Sequence, residues 1–125
     1  ENNYKDGLLH GIQKQWHEDG EHIELESEYR YGIEHGEEKR YSETGQITSL
    51  TTYKEGKLYG LSKSWHDNGQ LASEWFYGNN SKPTREWYNN GQISYEKINN
   101  TEQYFDEKGN KIEDPYKEFK TNDEE

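Results

Sequence analysis

Tyr53-Lys-Glu-Gly56-Lys-Leu-Tyr-Gly60-Leu-Ser-Lys-Ser-Trp65-His-Asp-Asn-Gly69-Gln-Leu71 is the stretch whose reading decides the fold. A tyrosine is followed by glycine three and seven positions on, by an aromatic residue at twelve and by glycine at sixteen. Twenty-four residues earlier the same series reads Tyr29, Gly32, Gly36, Tyr41, Gly45, and twenty-five before that Tyr4, Gly7, Gly11, Trp16, Gly20. Eleven of the twelve glycines keep this register, and only Gly78 stands outside it. A repeat of this length fixes the architecture before any local propensity is weighed.

Composition pulls in two directions. Leu, Ile, Val and Phe together supply 17 of the 125 residues, with no Val, and the formal charge is −11. Few aliphatics and high net charge are the signature of a chain that does not fold. Against that stand 11 Tyr, 4 Trp and 3 Phe. Each aromatic can bury roughly 150–250 Å², so a thin aromatic repeat array satisfies both facts. There is no cysteine, which excludes disulfides and thiolate metal sites and leaves the redox compartment open. No run approaches the ~20 apolar residues of a membrane-spanning helix. The acidic balance argues against direct contact with nucleic-acid phosphates or anionic lipid, and for a basic partner. With no Met, even at position 1, and no signal-peptide pattern, the chain reads as a mature or trimmed form that has lost any targeting segment.

Outward from the central stretch, each unit reads as a β-hairpin. Gly11-Ile-Gln-Lys-Gln-Trp16 alternates apolar and polar as a half-buried strand does. Asp19-Gly20, Thr44-Gly45 and Asn68-Gly69 supply the tight turns. The return strands are Ile23 to Tyr29, Ile47 to Tyr53 and Leu71 to Tyr77, and one extra residue after Gly20 accounts for the 25-residue step. Between hairpins, Tyr-x-x-Gly-x-x-x-Gly reads as a longer connection. Unit four, with Pro83 and neither connecting glycine, is short. Unit five keeps only the hairpin Phe105 to Ile112, as a terminal cap can. The expected fold is therefore all-β, a repetitive antiparallel β-hairpin meander of about 24 residues per unit and nine or ten strands. At ~4.8 Å per strand such a sheet runs about 45 Å. The repeat domain is expected over 1–112, with units near 4–28, 29–52, 53–76, 77–98 and 99–112. An acidic tail follows over 113–125, docked through Tyr116 and Phe119 and otherwise unfolded.

Counting alternate residues gives one core face of Ile12, Trp16, Ile23, Leu25, Tyr29, Tyr41, Ile47, Tyr53, Leu61, Trp65, Leu71, Trp75, Tyr77, Trp87, Ile93 and Tyr95. The other face then shows Glu24, Glu26, Glu28 and Glu38 early, and Leu50, Phe76, Tyr88 and Ile98 later. Those eight are the candidate binding residues: acids that would steer a basic partner, and an apolar group that water does not suit.

Gly-x-x-x-Gly-x-x-x-x-Trp-x-x-x-Gly-Gln-Leu, led in by Tyr-Lys-Glu-Gly, resembles the bacterial variant of the MORN repeat, strongly in three copies and weakly in two. Proteins built from this variant are often labelled YwqK-family antitoxins, some resemble immunity partners of secreted toxins, and others are surface or envelope proteins. The resemblance implies a β-hairpin array used for binding and no enzyme. It makes an antitoxin or immunity protein that neutralises a basic toxin the leading expectation. A structural or cell-surface module for assembly or host attachment is the alternative. The compartment would be the cytoplasm in the first case, and the periplasm or cell surface if a signal segment has been removed.

Other chemistry finds little support. His10 and His35 share one repeat slot and His17 and His66 another, but Tyr59 and Ser42 fill those slots elsewhere, so no metal-ligand set converges. A glycosidase needs two carboxyls in one cleft, which an open ladder does not provide. No glycine loop followed by Lys-Ser/Thr is present to cradle phosphate, and no cofactor is expected.

Overall fold

The computed structural model describes residues 3–78 and 81–117. All twelve elements are strands: β1 (Tyr4–Lys5), β2 (Leu8–Leu9), β3 (Gly11–Trp16), β4 (Ile23–Arg30), β5 (Ile33–Tyr41), β6 (Ile47–Lys54), β7 (Lys57–Trp65), β8 (Leu71–Tyr77), β9 (Thr84–Trp87), β10 (Ile93–Ile98), β11 (Thr101–Phe105) and β12 (Lys111–Ile112). The last ten form one antiparallel meander in strict sequence order, and β1 and β2 pair as a small separate hairpin. The expected all-β hairpin meander is the fold observed. The sheet continues through the irregular fourth unit by way of Ser73 opposite Glu86 and Glu74 opposite Arg85.

Two kinds of turn alternate, and their assignment differs from the sequence reading. The supposed longer connection is the tighter turn. Tyr31-Gly32 and Glu55-Gly56 each close a two-residue hairpin with both residues at positive φ (49° and 82°, 52° and 82°). Such a pair matches the right-handed twist of the flanking strands, so the chain returns at once instead of looping. The supposed tight turns are the longer ones. Gly45 N donates to Ser42 O and Ser42 N to Gln46 O, and the same pair of bonds recurs at His66–Gln70, Tyr88–Gln92 and Asp106–Asn110. The first of these turns, His17–His22, holds the extra residue expected there.

The single core face is corrected. Registered pairs share a face, and they divide the sixteen residues in two. Leu25, Tyr29, Tyr53, Trp75, Tyr77 and Tyr95 lie on one side, the tyrosine face. Ile12, Trp16, Ile23, Tyr41, Ile47, Leu61, Trp65, Leu71, Trp87 and Ile93 lie on the other, the tryptophan face. The cause is a bulge repeated in each of the first four units. Gln15 pairs with Leu25 but Trp16 with Ile23, leaving Glu24 as an extra residue, and Thr48, Ala72 and Ser94 occupy the same place later. Parity counted across a bulge inverts. The sheet is consequently one layer, aromatic on both sides. Among the described residues no hydrophobic side chain is fully buried; the buried ones are Gln13, Ser27 and Ser62, in one cross-strand row.

Neighbouring units are stitched at both sheet ends. At the long-turn end the His17 ring donates to Tyr41 O (2.9 Å), the His66 ring to Trp87 O (2.7 Å) and Tyr88 OH to Phe105 O (2.8 Å). Gln46, Gln70 and Gln92 each lie over the turn glycine of the following unit. At the other end Gly32 N donates to Leu9 O and Gly56 N to Glu34 O. The Nδ1 atoms of His10 and His35 accept from the amides of Tyr31 and Glu55. At the first edge Asn3 and Gln13 exchange hydrogen bonds, and the Asn3 side chain donates to Ile12 O. Tyr116 docks edge-on against Tyr104, centroids 6.4 Å apart, as expected of the tail. Phe119 and the residues after it lie outside the described ones.

Candidate binding surfaces

Each face carries its own ladder, and the repeat explains both. On the tyrosine face Tyr29, Tyr53 and Tyr77 stand opposite Gly11, Gly36 and Gly60, which hold positive φ of 89°, 107° and 79°. Burial raises the pKa of Tyr29 and Tyr53, and the carboxylates of Glu34 and Glu38 push both further up. Tyr29 OH donates to Glu34 (3.3 Å), and Arg40 approaches Glu38 (3.5 Å). Burial first, then the hydrogen bond and charge of Glu38, raise the pKa of Glu34.

The tryptophan face has two parallel rows. Trp16, Tyr41, Trp65, Trp87 and Phe105 repeat along the long-turn end, the first four paired with Ile23, Ile47, Leu71 and Ile93. Beside them runs a charge ladder across β3 to β11: Lys14, Glu26, Lys39, Leu50, Lys63, Glu74, Arg85, Glu96, Gln103. Opposite charges facing each other across strands stabilise a sheet. Lys63 reaches Glu74 at 3.5 Å and Arg85 reaches Glu96 at 2.7 Å.

The eight candidate residues do not share one face. Glu26, Glu28, Leu50, Phe76 and Ile98 lie on the tryptophan face, whereas Glu38 belongs to the tyrosine face. Glu24 is the first bulge residue, and Tyr88 sits in a long turn as an inter-unit stitch. Glu28 packs its carboxylate over Gly36, and the Lys82 ammonium stands over the Phe76 ring, 5.4 Å from its centroid.

Two grooves stand out. One, of about 540 Å³ at the long-turn end, gathers Trp16, His17, Glu18, Asp19, Glu24 and Glu43. The other, of about 560 Å³, lies at the far end of the tyrosine face around Tyr95, Tyr104 and Tyr116. Periodicity did not reveal the second groove, because Tyr104 and Tyr116 fall where the repeat has decayed. The two-residue turn Asn99-Asn100 was the available signal, since it sets Tyr95 opposite Tyr104. Among the described residues no group of three or more His, Asp or Glu side chains is placed to hold a metal ion. His22 is held by Asp19 at 2.7 Å, and the other four histidines make the stitches given above.

A single-layer meander of stitched hairpins, aromatic on both faces, defines a repeat-array protein of the kind that works by its surface. The sequence model of the MORN repeat variant matches three times, at residues 9–30, 34–55 and 58–79. Those matches take in just over half of the chain, and the protein belongs to the MORN repeat variant family. Repeats of this family are generally non-enzymatic and commonly mediate protein interaction. No curated protein and no solved structure matches the chain.

Proposed function

We propose that the chain is a non-catalytic protein-binding array of antitoxin or immunity type, which captures and neutralises a basic toxin. The observation that carries this reading is the single layer. Large aromatics recur with the repeat on both faces, and Trp16 keeps 44% of its surface in water. Exposed aromatic surface bordered by charge favours association with another protein. The formal charge of −11 selects a basic one. The groove beside Trp16, with Glu18, Asp19, Glu24 and Glu43, offers both a ring and carboxylates to its side chains. In this reading Glu24, Glu26, Glu28 and Glu38 steer the encounter, and Leu50, Phe76, Tyr88 and Ile98 contribute apolar surface.

The test is capture of the partner from the source cells, then association and dissociation rates at two salt concentrations. Charges at a rim chiefly set the association rate and its salt dependence, whereas buried anchors set dissociation. Replacing the four glutamates by Gln is expected to slow association and flatten its salt dependence, and Phe76→Ala to speed dissociation. An acidic partner, or an association rate indifferent to salt, overturns the reading.

A further inference from the structure

We propose that the tyrosine groove at the C-terminal end of the sheet receives a basic side chain, an Arg or Lys presented by a protein partner. This rests on the reading of a basic partner and gives it a specific site, away from the groove beside Trp16.

The geometry begins with register. Tyr95 and Tyr104 are cross-strand partners with centroids 5.1 Å apart and rings tilted by 55°, and Tyr116 adds a third ring against Tyr104. Both hydroxyls of the central pair donate to one carboxylate oxygen, Glu102 Oε2, at 2.8 Å and 3.0 Å. Burial, followed by Glu102, makes the Tyr95 phenol harder to ionise. Glu86 stands directly opposite Tyr95 on β9, and Lys97 directly opposite Glu102 on β10.

Three ligand chemistries fit a tyrosine groove, and the hydrogen bonds choose among them. A sugar needs hydroxyl donors and acceptors from the wall, and a proline-rich segment needs ring hydroxyls to donate to its carbonyls. The two central phenols already donate their hydrogen bonds to Glu102. A phenol that donates to a carboxylate also gains electron density in its ring. The carboxylates Glu86 and Glu102 stand beside these enriched rings, and ring faces and carboxylates both attract a cation. Charge complementarity therefore commits the groove to a guanidinium or an ammonium. Lys97 is the element that opposes it.

The test uses the whole chain and three acetylated, amidated peptides: Gly-Gly-Arg-Gly-Gly, the same with citrulline for Arg, and the same with Glu. Tyrosine ring resonances are followed by NMR. The Arg peptide is expected to shift the signals of Tyr95, Tyr104 and Tyr116, and the neutral citrulline and acidic peptides to leave them in place. Exposed cation–π contacts predict that Tyr104→Leu weakens the Arg peptide roughly two- to fivefold. Glu86→Gln, which leaves the rings untouched, is expected to weaken it and Lys97→Gln to tighten it. Equal binding of the citrulline peptide, shifts confined to other tyrosines, or weaker binding in Lys97→Gln overturns the site. A captured basic partner that binds Glu86→Gln and Tyr104→Leu as well as wild type overturns the groove and leaves the wider reading intact. Arg-peptide binding here, with no basic partner captured, does the reverse.

Discussion

The two faces of the sheet are products of one repeat, yet they solve the same physical problem differently. On the tryptophan face Trp16, Tyr41, Trp65, Trp87 and Phe105 stand in one row, the first four each paired across strands with an aliphatic residue, and alternating charges fill the next. On the tyrosine face rings meet rings, Trp75 against Tyr77 and Tyr95 against Tyr104, and a row of Gln13, Ser27, Glu38, Thr51 and Ser62 runs beside them. A two-layer protein would bury one face and wet the other. Among the described residues neither face has a second layer, and each half-shields the backbone ladder from its own side. The comparison teaches why so few aliphatics suffice.

The sharpest way to break this comparison is to remove one ring from each face. Trp65→Ala is expected to cost about 2–3 kcal/mol, below the usual 3–5 for a core aromatic because the site is only half buried. Tyr53→Ala is expected to cost about half as much, since the smaller ring takes less apolar surface from water. Urea denaturation measures both. Repeats contact mainly their neighbours, so the Trp65 loss should also weaken amide protection in the units on either side. A larger cost at Tyr53 would make the tyrosine face the main support.

Next in size comes the backbone that the tyrosine face needs. Gly36 has φ of 107°, and a Cβ there would stand 2.9 Å from Glu28 Cδ on the other face. Gly36→Ala is expected to lose about 1–3 kcal/mol from the backbone conformation. Repeating it in a Glu28→Ala background relieves the steric part alone. Full rescue by Glu28→Ala would mean that the backbone angle carries no cost.

The charge ladder is a smaller term. Lys63→Glu sets an acid opposite Glu74 and is expected to cost about 0.2–1 kcal/mol at low salt, less as salt is added. Reversing the pair with Glu74→Lys should recover part of that loss. A penalty that salt does not touch would show the effect to be packing of the lysine stem.

These residues also mark how far the sequence could be read. Gly56, Gly60, Trp65 and Gly69 carried the unit, the strands and their meander order, because glycine placement at turns is a local, periodic constraint. The division into faces was not legible. Ile23 and Leu25 look like neighbours in an alternating strand, and nothing about Glu24 announces that it is the extra residue between them. A bulge is fixed by pairing with the neighbouring strand, so a signal read along one strand misses it. The candidate surface inherited that error at Glu38, while Glu26, Leu50 and Phe76 stayed together because the pairs that link them, Glu26 to Lys39, Lys39 to Leu50, Leu50 to Lys63 and Leu61 to Phe76, involve no bulge residue.

The smallest expected effect tests the electrostatics of the tyrosine face. Glu34 shares its surroundings with Tyr29, Glu38, Arg40 and Tyr53. Burial and Glu38 raise its pKa above the ordinary carboxylate value, against the opposing pull of the Tyr29 hydrogen bond and Arg40. A carboxyl whose folded pKa is raised binds its proton more tightly in the native state. Its contribution to stability therefore grows as pH falls through the folded value toward about 4.5, and is absent well above it. Glu34→Gln removes the charge and keeps an oxygen to accept from Tyr29. The variant is expected to melt slightly above wild type at pH 7. That advantage should disappear near pH 4, where wild-type Glu34 is itself protonated. Melting curves across that range decide it. An advantage that persists at pH 4 would trace the gain to packing, and a loss at pH 7 would show that ionised Glu34 is held favourably by Arg40 and Tyr29.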